Sequence, residues 1–193
     1  MSNIIDTLVT DRTGIDVSHA SEIIEKIKNG TADADEISEY MAVLKGRYNF
    51  TDFNRVEIAV NYIANLLRTS PTNIKTYADA KCVALTGLLV LPFDPMDYFV
   101  TVKTDWNTSD IPTIDDAERY IGNVQLLIGS IQNTYPSIPQ TMEKLTFIGA
   151  NAIEEALRIL YNALIAEVSR IKDWIDKTAP AFFYSNEIYS GEV

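Results

Sequence analysis

The feature that most constrains this chain is an apolar ladder in its last third: Ile153, Leu157, Leu160, Leu164, Val168, Ile171 and Ile175 recur at steps of three or four residues. Only an α-helix brings side chains at that spacing onto one face. The ladder predicts a helix of about 30 residues, roughly 45 Å long at ~1.5 Å per residue. A helix of that length must project or pack along several shorter ones. Its two near-heptads, separated by an extra residue, leave a monomeric bundle and a self-associating coiled coil both open.

Shorter helices precede it. Residues 16–29 carry Ile23, Ile24 and Ile27 and stop at Asn29-Gly30. Asp33 with Glu36 has the form of a capping box, and Ile37, Tyr40, Met41 and Leu44 predict an apolar face ending at Gly46, so the two form an αα-hairpin. A third helix shows Val56, Val60, Ile63 and Leu67 after a Thr51 or Asp52 cap, and Ser70-Pro71 ends it. A fourth, at 112–132, opens on Thr113 with Asp116 and aligns Tyr120, Val124, Leu127 and Ile131.

Between the third and fourth helices the pattern is irregular. Leu88–Leu91 and Tyr98–Val102 are apolar, β-rich runs about a Pro-Phe-Asp-Pro turn, which predicts a small hairpin, with Tyr77–Thr86 a short helix. The expected fold is therefore mainly α: a helical bundle at 1–179 with a small β-hairpin or irregular insertion near 70–103 and a long C-terminal helix. Residues 180–193 form an aromatic tail without helical pattern. Aromatic surface of that density gains most when buried. The tail packs either on its own domain or on a neighbouring chain, and Phe182, Phe183, Tyr184, Ile188 and Tyr189 are its candidate interface residues.

The charge balance excludes several classes of partner. With 27 acidic against 16 basic residues, a formal charge of -11, the chain repels phosphate backbones and anionic membrane surfaces. No nucleic-acid and no membrane partner is expected; no apolar run approaches the ~20 residues of a membrane span, and the N-terminus lacks a basic leader. One cysteine, Cys82, permits no internal disulfide and fits synthesis in a reducing cytoplasm.

Candidate chemistry is sparse. The only histidine, His19, lies near the start of a surface helix with no nucleophile motif around it, and Cys82 sits in an apolar context that favours a core thiol. The acidic groups Asp33-Asp35-Glu36, Asp94-Asp97 and Asp115-Asp116-Glu118 could bind a hard cation or supply paired carboxylates, but first-turn acids at helix starts explain them. No Gly-rich phosphate cradle and no zinc-ligand spacing is present. No catalytic residue, cofactor or metal is expected. Trp106, set among polar turn residues, either anchors its loop internally, the favoured reading, or forms an interface hot spot.

One internal echo stands out: Asn54-Arg55-Val56-Glu57 and Asn151-Ala152-Ile153-Glu154 share Asn-x-(Val/Ile)-Glu, each opening an apolar-periodic helix. Helix starts resemble one another because caps and dipole-favoured acids recur there, and that explanation outweighs a repeat.

The wording of several blocks goes further. VTDRTGIDV, LKGRYNFTDFNRVEIAVNYIANLL, VTVKTDWNTSDIPTIDDAERYIGNV, LTFIGANAIEEALRIL and FFYSNEIYSGE together resemble a family of prophage-encoded minor structural proteins of Gram-positive bacteria. The resemblance spans most of the chain in order and is loosest over 70–97. It implies a non-enzymatic virion protein of the tail or baseplate, made in the host cytoplasm, with other tail or baseplate proteins as partners and homo-oligomerisation open. A phage-encoded module sequestering a host protein is the rival reading, and a wall-degrading glycosidase built on the acidic groups is a second.

Overall fold

In the computed structural model, residues 3–41, 44–81 and 98–187 are described, with side chains as far as Ala179. A short 3-10 helix, Ile4–Thr7, leads into five α-helices: α1 (Gly14–Lys28), α2 (Ala34–Met41), α3 (Phe50–Ala80), α4 (Ile114–Ile128) and α5 (Phe147–Glu187). The fold is all-helical among the described residues, with a long C-terminal helix, as the periodicity predicts.

Helices α3 and α5 form its spine. They run parallel: Arg55 meets Glu154, Tyr62 stacks on Tyr161 with centroids 6.0 Å apart, and Tyr77 donates to Asp176 at 2.8 Å. Val56, Val60, Ile63 and Leu67 of α3 and Ile153, Leu157, Leu160 and Leu164 of α5 are buried between them, sealed by Tyr120, Ile121, Val124 and Leu127 of α4. Each such side chain contributes ~1.5–3 kcal/mol on burial. Ile74 and Ala78 then continue the pairing against Ile171, Ile175 and Ala179 in a second, separate cluster. The ladder at 153–175 thus finds a partner helix within its own chain.

Four local readings need correction. Pro71 does not end α3, which runs on to Ala80. An interior proline costs ~3 kcal/mol through a lost N–H bond and a carbonyl clash, and the burial of Ile74 and Ala78 against α5 offsets it. Asn49, not Thr51 or Asp52, caps α3; Asp52 instead closes the capping box from N3. Helix α5 passes Pro180 to Glu187, so the tail begins later than position 180. Ile37 and Met41 do not form a buried face: they are 47% and 64% exposed.

The expected hairpin falls partly outside the described residues, which exclude Leu88–Leu91. Its other arm, Tyr98–Val102, carries no strand assignment. Side chains take the place of a ladder there: Arg119 and Asn123 both donate to the Thr101 carbonyl, at 3.0 and 2.8 Å. The expected Tyr77–Thr86 helix is the end of α3 as far as Ala80, with 82–86 not described.

Helices α1 and α2 form the expected antiparallel hairpin, tied by His19 to Glu39 and Lys26 to Glu36. Its own small core is Ala20, Ile23 and Leu44. Gly46 holds this hairpin to the body: a Cβ there would lie 1.9 Å from the Asp16 carbonyl oxygen, so only glycine admits the backbone of α1 so close.

Candidate functional site

Two Asn-x-x-Glu sets, each two turns into its helix, grip an extended segment from the other half of the chain. On α3, Asn54 Nδ2 donates to the Trp106 carbonyl and the Trp106 N–H donates back to Asn54 Oδ1, both at 2.8 Å. One turn on, Glu57 Oε2 accepts the Lys103 N–H at 3.1 Å. On α5, Asn151 Nδ2 donates to the Arg12 carbonyl at 2.8 Å, the Arg12 N–H returns to Asn151 Oδ1 at 3.1 Å, and Glu154 Oε2 accepts the Val9 N–H at 2.6 Å. The amide of asparagine matches a peptide unit donor for acceptor, so each clamp satisfies backbone that has no strand partner.

This overturns the helix-start explanation of the echo. Glu57 and Glu154 lie too far into α3 and α5 to serve the free N–H groups of the first turn. The gripped segments also match: Val9-Thr10-Asp11-Arg12 and Lys103-Thr104-Asp105-Trp106 share Thr-Asp before the clamped residue. The separation that relates Asn54 to Asn151 also relates Val56 to Ile153, Val60 to Leu157, Ile63 to Leu160, Leu67 to Leu164 and Ile74 to Ile171. Each half supplies a helix that holds the other half's segment.

The clamps sit in a buried charge network. Arg12 Nη2 lies 2.8 Å from Asp52 and 2.7 Å from Glu154. Arg55 pairs with the same two carboxylates, reaching Glu154 at 2.8 Å. Two cations and two anions balance, which a buried ionic group requires. Burial opposes the Arg12 charge, but Glu154 and Asp52 outweigh it and hold the guanidinium pKa above its ordinary value; Arg55 is raised in the same way. Arg119 serves Glu57 at 2.8 Å on the α3 side. Sequence reasoning gave no site role to Arg12, Asp52, Arg55, Glu57, Arg119 or Glu154, and the signal that could have found them was the echo together with the shared Thr-Asp.

Beside the α3 clamp lies an aromatic cluster. Phe53 contacts Tyr48, Trp106 and Tyr120 with centroids 5.2–5.4 Å apart, and the Tyr48 and Tyr120 hydroxyls are hydrogen-bonded to each other. Burial pushes both phenols well above their ordinary pKa. Trp106 is 5% exposed, with Lys103 Nζ 4.8 Å from its ring centroid. It anchors its loop on Phe53, and its Nε1–H is buried without a partner among the described residues. Trp106 also lines a pocket of about 330 Å³ with Tyr40, Arg47, Phe50 and Asp110.

The other sequence candidates are dispersed. His19 is exposed beside Glu39. Asp33 and Glu36 form a reciprocal cap on α2, and Asp116 closes the Thr113 capping box on α4. Cys82 and Asp94-Asp97 lie outside the described residues, as do Ile188 and Tyr189. Phe182, Phe183 and Tyr184 fall on α5 beyond the described side chains. Among the described residues no group of three His, Cys, Asp or Glu side chains could hold a metal ion, and no helix is long and apolar enough to cross a membrane.

The fold and the clamps define a helical protein in which Asn and Glu side chains of two long helices hold extended backbone from elsewhere in the chain. No family model matches the chain, and neither the curated proteins nor the solved structures contain a match to it.

Proposed function

We propose that this protein is a non-enzymatic structural component of a phage tail or baseplate, joining neighbouring subunits such as fibres. The observation that supports the reading is where the buried charge goes. Glu154 through both oxygens and Glu57 through Oε2, at 0% and 1% exposure, take guanidinium groups and backbone N–H donors from distant segments. A catalytic carboxylate needs a face open to substrate. The same clamps fix the parallel α3–α5 pair, of which α5 alone spans 41 residues, about 60 Å at ~1.5 Å per residue. A stiff spine of this kind suits a part that spaces its neighbours, and the family resemblance of the sequence blocks points to the virion as the setting.

Mass spectrometry of density-purified particles, scaled to the major tail protein, tests this. Peptides at a reproducible low stoichiometry are the expected result. Abundant protein in the cell with none in particles would overturn it in favour of a cytoplasmic binding module.

A further inference from the structure

The pocket beside Trp106 carries a guanidinium group at its rim. Arg47, exposed at the rim, rests its guanidinium 4.8 Å from the centroid of the Tyr40 ring, and no carboxylate among the described residues pairs with it. The walls carry four rings, Tyr40, Tyr48, Phe50 and Phe53, and the carboxylate on the lining, Asp110, is engaged by Lys103 at 3.3 Å. Such a site selects a ligand with an apolar or aromatic side chain and a carboxylate or carbonyl acceptor close to it.

The chain contains a segment of that chemistry. Residues 188–193, Ile-Tyr-Ser-Gly-Glu-Val, place Tyr189 three residues before Glu192. That segment cannot reach the pocket of its own chain. The pocket is built at the start of α3, where Arg55 pairs with Glu154 of α5. Helix α5 continues to Glu187, carrying the chain about 50 Å from that point at ~1.5 Å per residue, whereas six residues span at most roughly 20 Å. The pocket and the end of α5 therefore lie at opposite ends of the spine.

We propose that the aromatic pocket receives the 188–193 segment of a second copy of this chain, with Tyr189 among the rings and Glu192 on Arg47. The contact is heterologous, head to tail, and so builds a ring or a filament rather than a closed pair. It deepens the assembly reading and rests on it for its biological setting only.

The test uses the purified full-length protein. A fluorescently labelled synthetic peptide of residues 181–193 is titrated against it by anisotropy, and sedimentation follows self-association of the protein alone. Saturable binding is expected, weakened at least tenfold by Arg47→Glu and regained when that variant meets a peptide carrying Glu192→Arg. Arg47 is exposed, so the variant should fold, and the charge-reversal rescue would not follow from a merely structural role. Absence of peptide binding, equal binding to the Arg47→Glu variant, or self-association that survives deletion of 188–193 would overturn the proposal. None of these outcomes depends on particles, so the virion reading stands or falls separately.

Discussion

Glu154 is fully buried and faces both Arg12 and Arg55. Replacing it with Gln leaves two guanidinium groups sharing the single charge of Asp52. Removing one partner of a buried ionic group costs about 3–5 kcal/mol, against 0–1 kcal/mol for an exposed pair. Urea unfolding should therefore show a large loss for Glu154→Gln and almost none for Lys177→Ala, whose partner Asp173 is exposed on the α5 surface. Similar losses for the two would mean that the network is not sealed from solvent. Gly46 makes the second residue-scale prediction. A methyl group added there meets the Asp16 and Val17 backbone, which cannot rotate away as a side chain could. Gly46→Ala should cost about 3 kcal/mol, at the upper end of overpacking effects, with the loss confined to how the α1–α2 hairpin seats. The amide resonances of Asp16 and Val17 should shift most, and an unshifted spectrum would contradict so close an approach.

At the scale of elements, the helices declared themselves wherever an apolar face and a cap coincided. Thr13 with Asp16, and Thr113 with Asp116, close reciprocal boxes at the starts of α1 and α4. The hydroxyl and backbone N–H of each Thr hold the carboxylates of Asp16 and Asp116 below their usual pKa. A folded pKa below the unfolded one gives stability that is complete above the unfolded value, near ~4 for Asp, and drains away as pH falls through the depressed folded value. Thermal midpoints should be flat between pH 7 and 5 on this account and decline below about 4, with Asp116→Asn showing a shallower decline. A wild-type curve that rises on acidification would contradict the sign. Pro71 was misread because local rules see the missing N–H but not the partner helix. The pairing of Ile74 and Ala78 with Ile171 and Ile175 is long-range and cannot be read from one window. Pro71→Ala restores the donor to the Leu67 carbonyl and should stabilise the protein by ~1–3 kcal/mol in urea titrations, the interior-proline penalty less any local repacking. A destabilised variant would contradict the assignment of that penalty to Pro71. The extended segments at 9–12 and 103–106 were illegible as structure because side chains, not a strand ladder, satisfy their backbone. Yet their Thr-Asp match was in plain view beside the Asn-x-x-Glu echo.

At the scale of the whole molecule, the chain behaves as two similar halves that exchange grips, followed by unequal additions. The shared part is a clamped segment, a capped helix of 15 residues and a long helix that clamps in return. The halves differ in where the capped helix goes: α4 packs on both α3 and α5, whereas α1 packs chiefly on α2. The main core joins the spine, α4 and the N-terminal segment through nineteen buried residues, while the α1–α2 hairpin keeps a core of three. Cooperative unfolding follows shared burial, so the hairpin should open without the spine. It is fastened by Gly46, by the exposed Lys45–Asp11 pair and by the clamp on Arg12 just before α1, and only the last of these is deeply buried. Native-state hydrogen exchange should accordingly resolve two classes of protection. Amides of α1 and α2 should exchange through an opening several kcal/mol cheaper than global unfolding, and those of Val56–Leu67 and Ile153–Leu164 only with it. Asn151→Ala weakens the grip on Arg12 and should speed exchange in α1 more than in α4; the mirrored Asn54→Ala, at the Trp106 clamp, should act on the segment leading to α4. If both substitutions changed the same amides equally, the two clamps would be parts of one cooperative unit and the division into exchanged halves would be a matter of sequence alone.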